Sequence, residues 1–210
     1  MDELQRSKKR SISYWFEDGL PEIGTGLVIL LIGLMLLLVS LLPEHSGWGW
    51  AVAIGQPLVI IGAFYGAGKL VKYFKERITY PRTGFVSYPR RQMNQRVKRG
   101  VLTGMIAAAI SIGVTLLSGV LAQRFVPLFI SVLLGLSFLL LAVNYGAKRF
   151  FIVGGIEPLI GSLLCWLNLP DPLDSAWLFM GTGICMILTG FGGLLHYLHT
   201  TQPAGQEELE

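Results

Sequence analysis

Residues 23–42 read IGTGLVILLIGLMLLLVSLL, a stretch that contains no charged residue. A helix needs about 20 apolar residues to cross roughly 30 Å of hydrocarbon, so this stretch is long enough to span a membrane. Five further runs have a similar length and character: Ala51–Val71, Val101–Ala122, Pro127–Ala147, Phe150–Leu169 and Trp177–His196. The sequence therefore predicts an all-α fold, a polytopic membrane bundle of six transmembrane helices.

Basic residues fall on one side of the membrane when the six spans are threaded alternately. Of the 17 Lys and Arg residues, only Arg124 falls on the other side. Cytoplasmic loops retain Lys and Arg, so both termini are predicted to be cytoplasmic. The predicted segments are a cytoplasmic or interfacial N-terminal segment at 1–22, a membrane domain at 23–198 with a basic loop at 73–100, and an acidic tail at 199–210.

Composition agrees with a chain that lies mostly in the bilayer. Of its 210 residues 52% are hydrophobic, and the mean hydropathy is +0.58. The net charge of +4 is explained by the threading and by attraction to anionic lipid headgroups, so no nucleic-acid partner is expected. Cys165 and Cys185 lie inside predicted spans without metal-ligand spacing, so neither a metal nor a cofactor is expected.

Small residues recur along the spans, as at Gly62 and Gly66, and are predicted to let helix backbones pack closely. Similar motifs at the ends of alternate spans are compatible with three helical hairpins. The alternative is the ordinary enrichment of small residues in membrane helices.

The segment that follows the second span is predicted to lie at the cytoplasmic surface. Lys72 and Glu76 are four residues apart and are expected to pair on a helix that leaves the membrane. Ile78–Tyr88 places turn-forming residues between two β-prone triplets, which predicts a small hairpin. The basic residues predicted to face anionic lipid or a protein partner are Lys72, Lys75, Arg77, Arg82, Arg90, Arg91, Arg96, Lys98 and Arg99.

Glu157 is the acidic residue placed deepest in a predicted span, and an ionisable group at that depth is a functional hypothesis by default. Gly154, Gly155 and Pro158 predict a break in the helix beside it. In one interpretation Glu157 lines a polar cavity with Gln56, Asn144 and Tyr145. In the other it caps a helix that begins at Pro158, or is a protonated, hydrogen-bonded residue without a transport role.

Asp18 and Glu22 flank Pro21 at the start of the first span. Negative charge is favoured at a helix N-terminus and Pro in its first turn, so both acids are interpreted as capping residues.

Two short motifs carry a resemblance to a known group of proteins. These are Tyr14-Trp15-Phe16-Glu17-Asp18-Gly19-Leu20-Pro21-Glu22 and Thr79-Tyr80-Pro81-Arg82-Thr83-Gly84-Phe85-Val86. They resemble segments of uncharacterised bacterial multi-pass membrane proteins. The resemblance implies a bacterial inner-membrane location, and it assigns no catalytic residue because the group has no established activity.

Motifs of intramembrane hydrolases, metalloproteases and nucleotide-binding enzymes are not found in the sequence, so no enzymatic activity is expected. The pattern favours a non-enzymatic protein that binds a partner or acts as a regulatory or accessory membrane protein. The alternative is a small solute transporter, or the substrate-binding membrane subunit of one.

Overall fold

A computed structural model describes residues 16–42, 47–83 and 123–201, and regular secondary structure within these ranges is helical throughout. The long helices are α1 (Leu20–Leu41), α2 (Gly47–Phe74), α3 (Val126–Tyr145), α4 (Arg149–Leu167) and α5 (Leu173–Thr200). The five helical segments that contain them are long and apolar enough to cross a membrane, and they coincide with five of the six predicted spans. The third predicted span, Val101–Ala122, lies outside the described residues.

Local sequence explains where the helices end. Leu42 has an extended backbone because it precedes Pro43, and α1 stops at Leu41. Gly146 closes α3 with a φ of 72°, and Asn168 closes α4 with a φ of 49°. Both are left-handed caps of the kind that Gly and Asn adopt most readily. The link between α3 and α4 is therefore short, and these helices are antiparallel neighbours.

Helical structure continues beyond the end of α2 and beyond the predicted span. A π-helical turn over Lys75–Thr79 and an α-helical turn over Tyr80–Thr83 follow it without a break. The predicted hairpin is therefore wrong over Ile78–Thr83, and its remainder lies outside the described residues. Lys75 and Thr79 both bind Asp18 near the start of α1, and such tertiary contacts override the β propensity of a short segment.

Glycines set the closest helix contacts in the bundle. A Cβ atom at Gly183 of α5 would lie 2.6 Å from the backbone nitrogen of Leu30 in α1. A Cβ atom at Gly135 of α3 would lie 2.8 Å from the carbonyl oxygen of Gly154 in α4. The α1–α5 and α3–α4 contacts are accordingly the most extensive in the described structure.

The pairs α1–α2 and α4–α5 are in contact, as two of the three predicted hairpins require, and the third pair includes a span outside the described residues. The closest partner of α5 is α1, and its contact with the preceding helix α4 is smaller. On α2, which packs against α1, a Cβ atom at Gly62 or Gly66 would meet no described atom within 4 Å. The close packing predicted for these two glycines is therefore not made by the described residues.

Candidate functional site

Five polar residues meet at the end of the bundle where α1 and α4 begin and where α2 and α5 end. They are Asp18, Glu22, Lys75, Thr79 and Arg149, and we call them the charged junction. Asp18 is 0%, Glu22 1% and Lys75 2% exposed, so charges of both signs are enclosed by protein.

Asp18 is the centre of the junction. The Lys75 ammonium donates to Asp18 Oδ2 at 2.6 Å, and the Thr79 hydroxyl donates to the same oxygen at 2.8 Å. The other oxygen, Oδ1, accepts the backbone N–H of Leu20 at 3.2 Å. Asp18 thus satisfies one backbone N–H at the start of α1 from the position before the N-cap residue Gly19, and it also joins α1 to the extension of α2. Glu22, the other predicted cap, has no hydrogen-bond partner among the described residues.

Arg149 and Glu22 form a second, looser pair. Arg149 Nη1 lies 3.4 Å from Glu22 Oε2, but neither Glu22 oxygen nor Nη1 has a hydrogen-bond partner among the described residues. Arg149 Nη2 donates to the carbonyl oxygens of Phe16, at 2.5 Å, and Glu17, at 3.3 Å. The guanidinium therefore ties the start of α4 to the segment that precedes α1.

The end of α5 is held by the same extension of α2. Arg82 Nη1 donates to the carbonyl oxygens of Leu198, at 3.1 Å, and Thr201, at 2.6 Å. A cation at a helix C-terminus is favoured by the helix dipole and satisfies carbonyl groups that lack helical donors. The Tyr197 hydroxyl donates to Thr79 O at 3.4 Å and adds a second link.

These contacts correct the predicted basic surface. Lys75 is buried in an ion pair and does not face lipid or a partner, and Arg82 is partly buried on the end of α5. Lys72 is exposed and pairs with Glu76 at 3.7 Å, as predicted, while Arg77 is exposed and lies over the Tyr73 ring at 4.7 Å. The other members of the predicted set lie outside the described residues: Arg90, Arg91, Arg96, Lys98 and Arg99.

Glu157 lies inside α4 and is 0% exposed. Its Oε2 is 3.0 Å from the Thr182 hydroxyl of α5, whereas Oε1 has no hydrogen-bond partner among the described residues. Because α4 continues through Pro158, the predicted break and the capping interpretation are both wrong. Gly154, the residue whose carbonyl loses a helical donor to Pro158, packs closely against α3.

The other residues of the predicted cavity are not joined to Glu157 by a described contact. Gln56 lies on α2, which packs against α1, whereas the partner of Glu157 is on α5. Asn144 and Tyr145 end α3, and the positions of their side chains lie outside the described set. Thr182 is a partner that the sequence pattern does not reveal, because a hydroxyl in an apolar span has no distinctive spacing.

An apolar groove with a volume of about 220 Å³ opens beside the charged junction. It lies between the start of α1, the end of α2 and the last third of α5. The residues that line it are Leu20, Ile23, Gly24, Leu70, Val71, Phe74, Ile78, Phe191 and Leu194.

The charged junction was missed because capping acids and paired acids look alike in a sequence. Asp18 and Glu22 are four residues apart, and Lys75 lies close to the end of an apolar span. That combination of opposite charges near span ends was the available signal, since buried charges in a membrane protein are usually paired.

Within the described ranges, no three His, Cys, Asp or Glu side chains come together as a group able to hold a metal ion. No protein-family model matches the chain, and neither a curated protein nor a solved structure matches it.

Proposed function

We propose that the chain is a non-enzymatic membrane protein that acts through what it binds, as a partner-binding or regulatory accessory protein. The apolar groove beside the charged junction is the observation that carries this proposal. The buried charges next to the groove form hydrogen bonds within the protein and do not face a ligand. Lys75 donates to Asp18, and Arg149 donates to the carbonyl oxygens of Phe16 and Glu17. A binding surface that offers apolar side chains suits a hydrophobic ligand better than a polar substrate.

The ligand that fits the groove and its surroundings is an anionic membrane lipid. An acyl chain that moves from the bilayer into the groove is already out of water. It therefore gains packing contacts with the apolar side chains and no hydrophobic transfer energy. Lys69, Lys72 and Arg77 are exposed on the last turns of the same helix that lines the groove. Each of these cations attracts an anionic headgroup by about 1 kcal/mol. The groove should therefore prefer anionic lipids over neutral ones.

The proposed setting is a bacterial inner membrane with the charged junction at its cytoplasmic side. The uneven distribution of Lys and Arg supports this orientation, and the two motifs at residues 14–22 and 79–86 support the bacterial assignment. A protein partner at the same face is the other ligand that these exposed cations could bind.

Photo-crosslinking tests the lipid. A benzophenone amino acid replaces Phe74 or Phe191, which line the groove, and Phe64 serves as the matched control because it is 53% exposed on α2 outside the groove. In mixed-lipid nanodiscs we expect adducts at Phe74 and Phe191 to be enriched in anionic lipid over bulk composition, and adducts at Phe64 to follow bulk composition.

The charge contribution is tested in the same nanodiscs. Lys72→Gln together with Arg77→Gln should remove the anionic enrichment, whereas Arg124→Gln, at the other end of the bundle, should leave it unchanged. Equal enrichment at all three crosslinking positions would contradict a specific lipid site. Adducts to residues of the same chain would assign the groove to a protein segment instead.

A small solute transporter, or its substrate-binding membrane subunit, is the second candidate. The observation that favours it is Glu157 Oε1, a buried polar atom without a described partner inside the bundle. Purification in mild detergent followed by mass spectrometry separates the two candidates. A stoichiometric cytosolic ATPase that copurifies would favour the transporter, and copurified anionic lipid without such a subunit would favour the lipid-binding protein.

A further inference from the structure

We propose that Glu157 holds a proton inside the bundle and donates it to the Thr182 hydroxyl, so that the α4–α5 contact is a proton-binding site. The proposal does not depend on what occupies the apolar groove. It rests on the number of hydrogen atoms available at the Glu157–Thr182 contact and on the absence of a cation from the described residues around it.

The hydrogen count comes from the surroundings of Thr182. Its Oγ1 lies 2.9 Å from Leu178 O and 3.0 Å from Glu157 Oε2, which are both acceptors if Glu157 is ionised. A threonine hydroxyl has one hydrogen to donate. If the hydroxyl donates to Leu178 O, the contact with Glu157 Oε2 is a hydrogen bond only when Glu157 is protonated and supplies the hydrogen.

The contact between Thr182 and Leu178 O has the geometry of a common hydrogen bond within a helix. Hydroxyl groups in helices commonly donate to the carbonyl four residues earlier. The same geometry recurs twice more in α5, where Thr189 Oγ1 is 2.9 Å from Cys185 O and Thr200 Oγ1 is 2.9 Å from His196 O. Thr182 then has a lone pair left to accept a hydrogen from Glu157 Oε2.

The charges on the neighbouring helices also favour the neutral acid. Residues 126–144 of α3 contain no acidic or basic residue, and the titratable group on α5 near Thr182 is the thiol of Cys185, which is not in a disulfide. Arg149 of α4 and Asp174 of α5 are each eight residues away from the contact along their helices, or about 12 Å. An ionised carboxylate without a nearby cation is costly at this depth, whereas the neutral acid leaves only a carbonyl oxygen, Oε1, without a described partner.

Infrared difference spectroscopy of the purified protein at neutral pH tests this proposal. We expect the wild type to show the carbonyl-stretch band of a protonated carboxylic acid, with a shift on exchange into D₂O, and Glu157→Gln to lose that band. Glu76→Gln is the matched control, because Glu76 is an exposed carboxylate on the extension of α2 and its removal should leave the acid band in place.

Variants of Thr182 keep the test decisive if Glu157→Gln fails to fold. Thr182→Val removes the acceptor with little change in volume, so the acid band should shift to the frequency of a weakly hydrogen-bonded acid. Thr182→Ser retains the hydroxyl and should restore the wild-type band. A wild-type spectrum without an acid band, an acid band that survives Glu157→Gln, or a band that Thr182→Val does not shift would overturn the proposal.

Discussion

At the scale of single residues, the ammonium of Lys75 illustrates how a membrane bundle retains a charge. It is 2% exposed and 2.6 Å from Asp18 Oδ2, and Thr79 donates to the same oxygen. Taking one partner from a buried pair leaves an uncompensated charge, which is much more destabilising than loss of an exposed pair. The charged junction is therefore expected to dominate the effects of charge substitutions on stability.

This expectation gives a prediction for Asp18 and Lys75. Asp18→Asn or Lys75→Met alone should lower the free energy of unfolding by about 3–5 kcal/mol, and the double variant should lose less than the sum of the two. Lys72→Gln is the control, since the exposed Lys72–Glu76 pair should contribute about 0.5 kcal/mol or less. Unfolding in detergent measures all four variants, and strictly additive losses would show that the pair is not coupled.

Glu157 is expected to behave differently from Asp18. If Glu157→Met is made, Thr182 keeps Leu178 O as its acceptor, and a buried oxygen without a described partner is removed. Replacing such a group by an apolar one of similar shape is often nearly neutral, so stability should change by less than about 1.5 kcal/mol. A loss above about 3 kcal/mol in thermal unfolding would mean that Glu157 is required for the packing of α4 on α5.

At the scale of helices, glycine positions decide which pairs come close. Gly183 lies against the backbone of α1, whereas a Cβ atom added at Gly192, nine residues later on α5, would meet no described atom within 4 Å. The two residues share a helix and a composition, but only one of them is needed for packing.

We therefore expect Gly183→Ala and Gly192→Ala to have opposite effects. A Cβ atom at Gly183 would lie 2.6 Å from Leu30 N, so α1 and α5 must separate, at a cost of about 1–3 kcal/mol. At Gly192 the same change should be neutral or stabilise the helix by up to about 1 kcal/mol, since Ala is the better helix former. Equal thermal stability of the two variants would contradict close α1–α5 packing.

Hydropathy predicted five of these helices well, because crossing a membrane requires a long apolar segment whatever its neighbours are. It could not predict that α4 passes through Pro158, since the loss of one helical hydrogen bond is tolerated when neighbouring helices pack around it. Nor could it separate an acid that caps from an acid that pairs, because the partner of Asp18 is 57 residues away in the chain.

At the scale of the whole molecule, the orientation of the bundle is a prediction from charge. Lys148 and Arg124 lie near opposite ends of α3, and both are exposed. In a background with Cys165 and Cys185 replaced by Ser, Arg124→Cys should react with a membrane-impermeant thiol reagent in intact cells. Lys148→Cys should react only after the membrane is permeabilised, and the reverse pattern would invert the topology.

The extensive contact between α1 and α5 has a consequence for biosynthesis. α1 leaves the ribosome first among the described helices, and its main partner leaves last. The surface of α1 that packs against α5, which includes Gly26 and Gly33, therefore lacks this partner while most of the chain is translated. Asp18 likewise lacks its partner until Lys75 is translated, and Glu22 lacks its partner until Arg149 is translated. Nascent chains arrested before Leu173 should consequently remain bound to insertion chaperones and be degraded rapidly. The finished chain should dissociate from the chaperones and be long-lived.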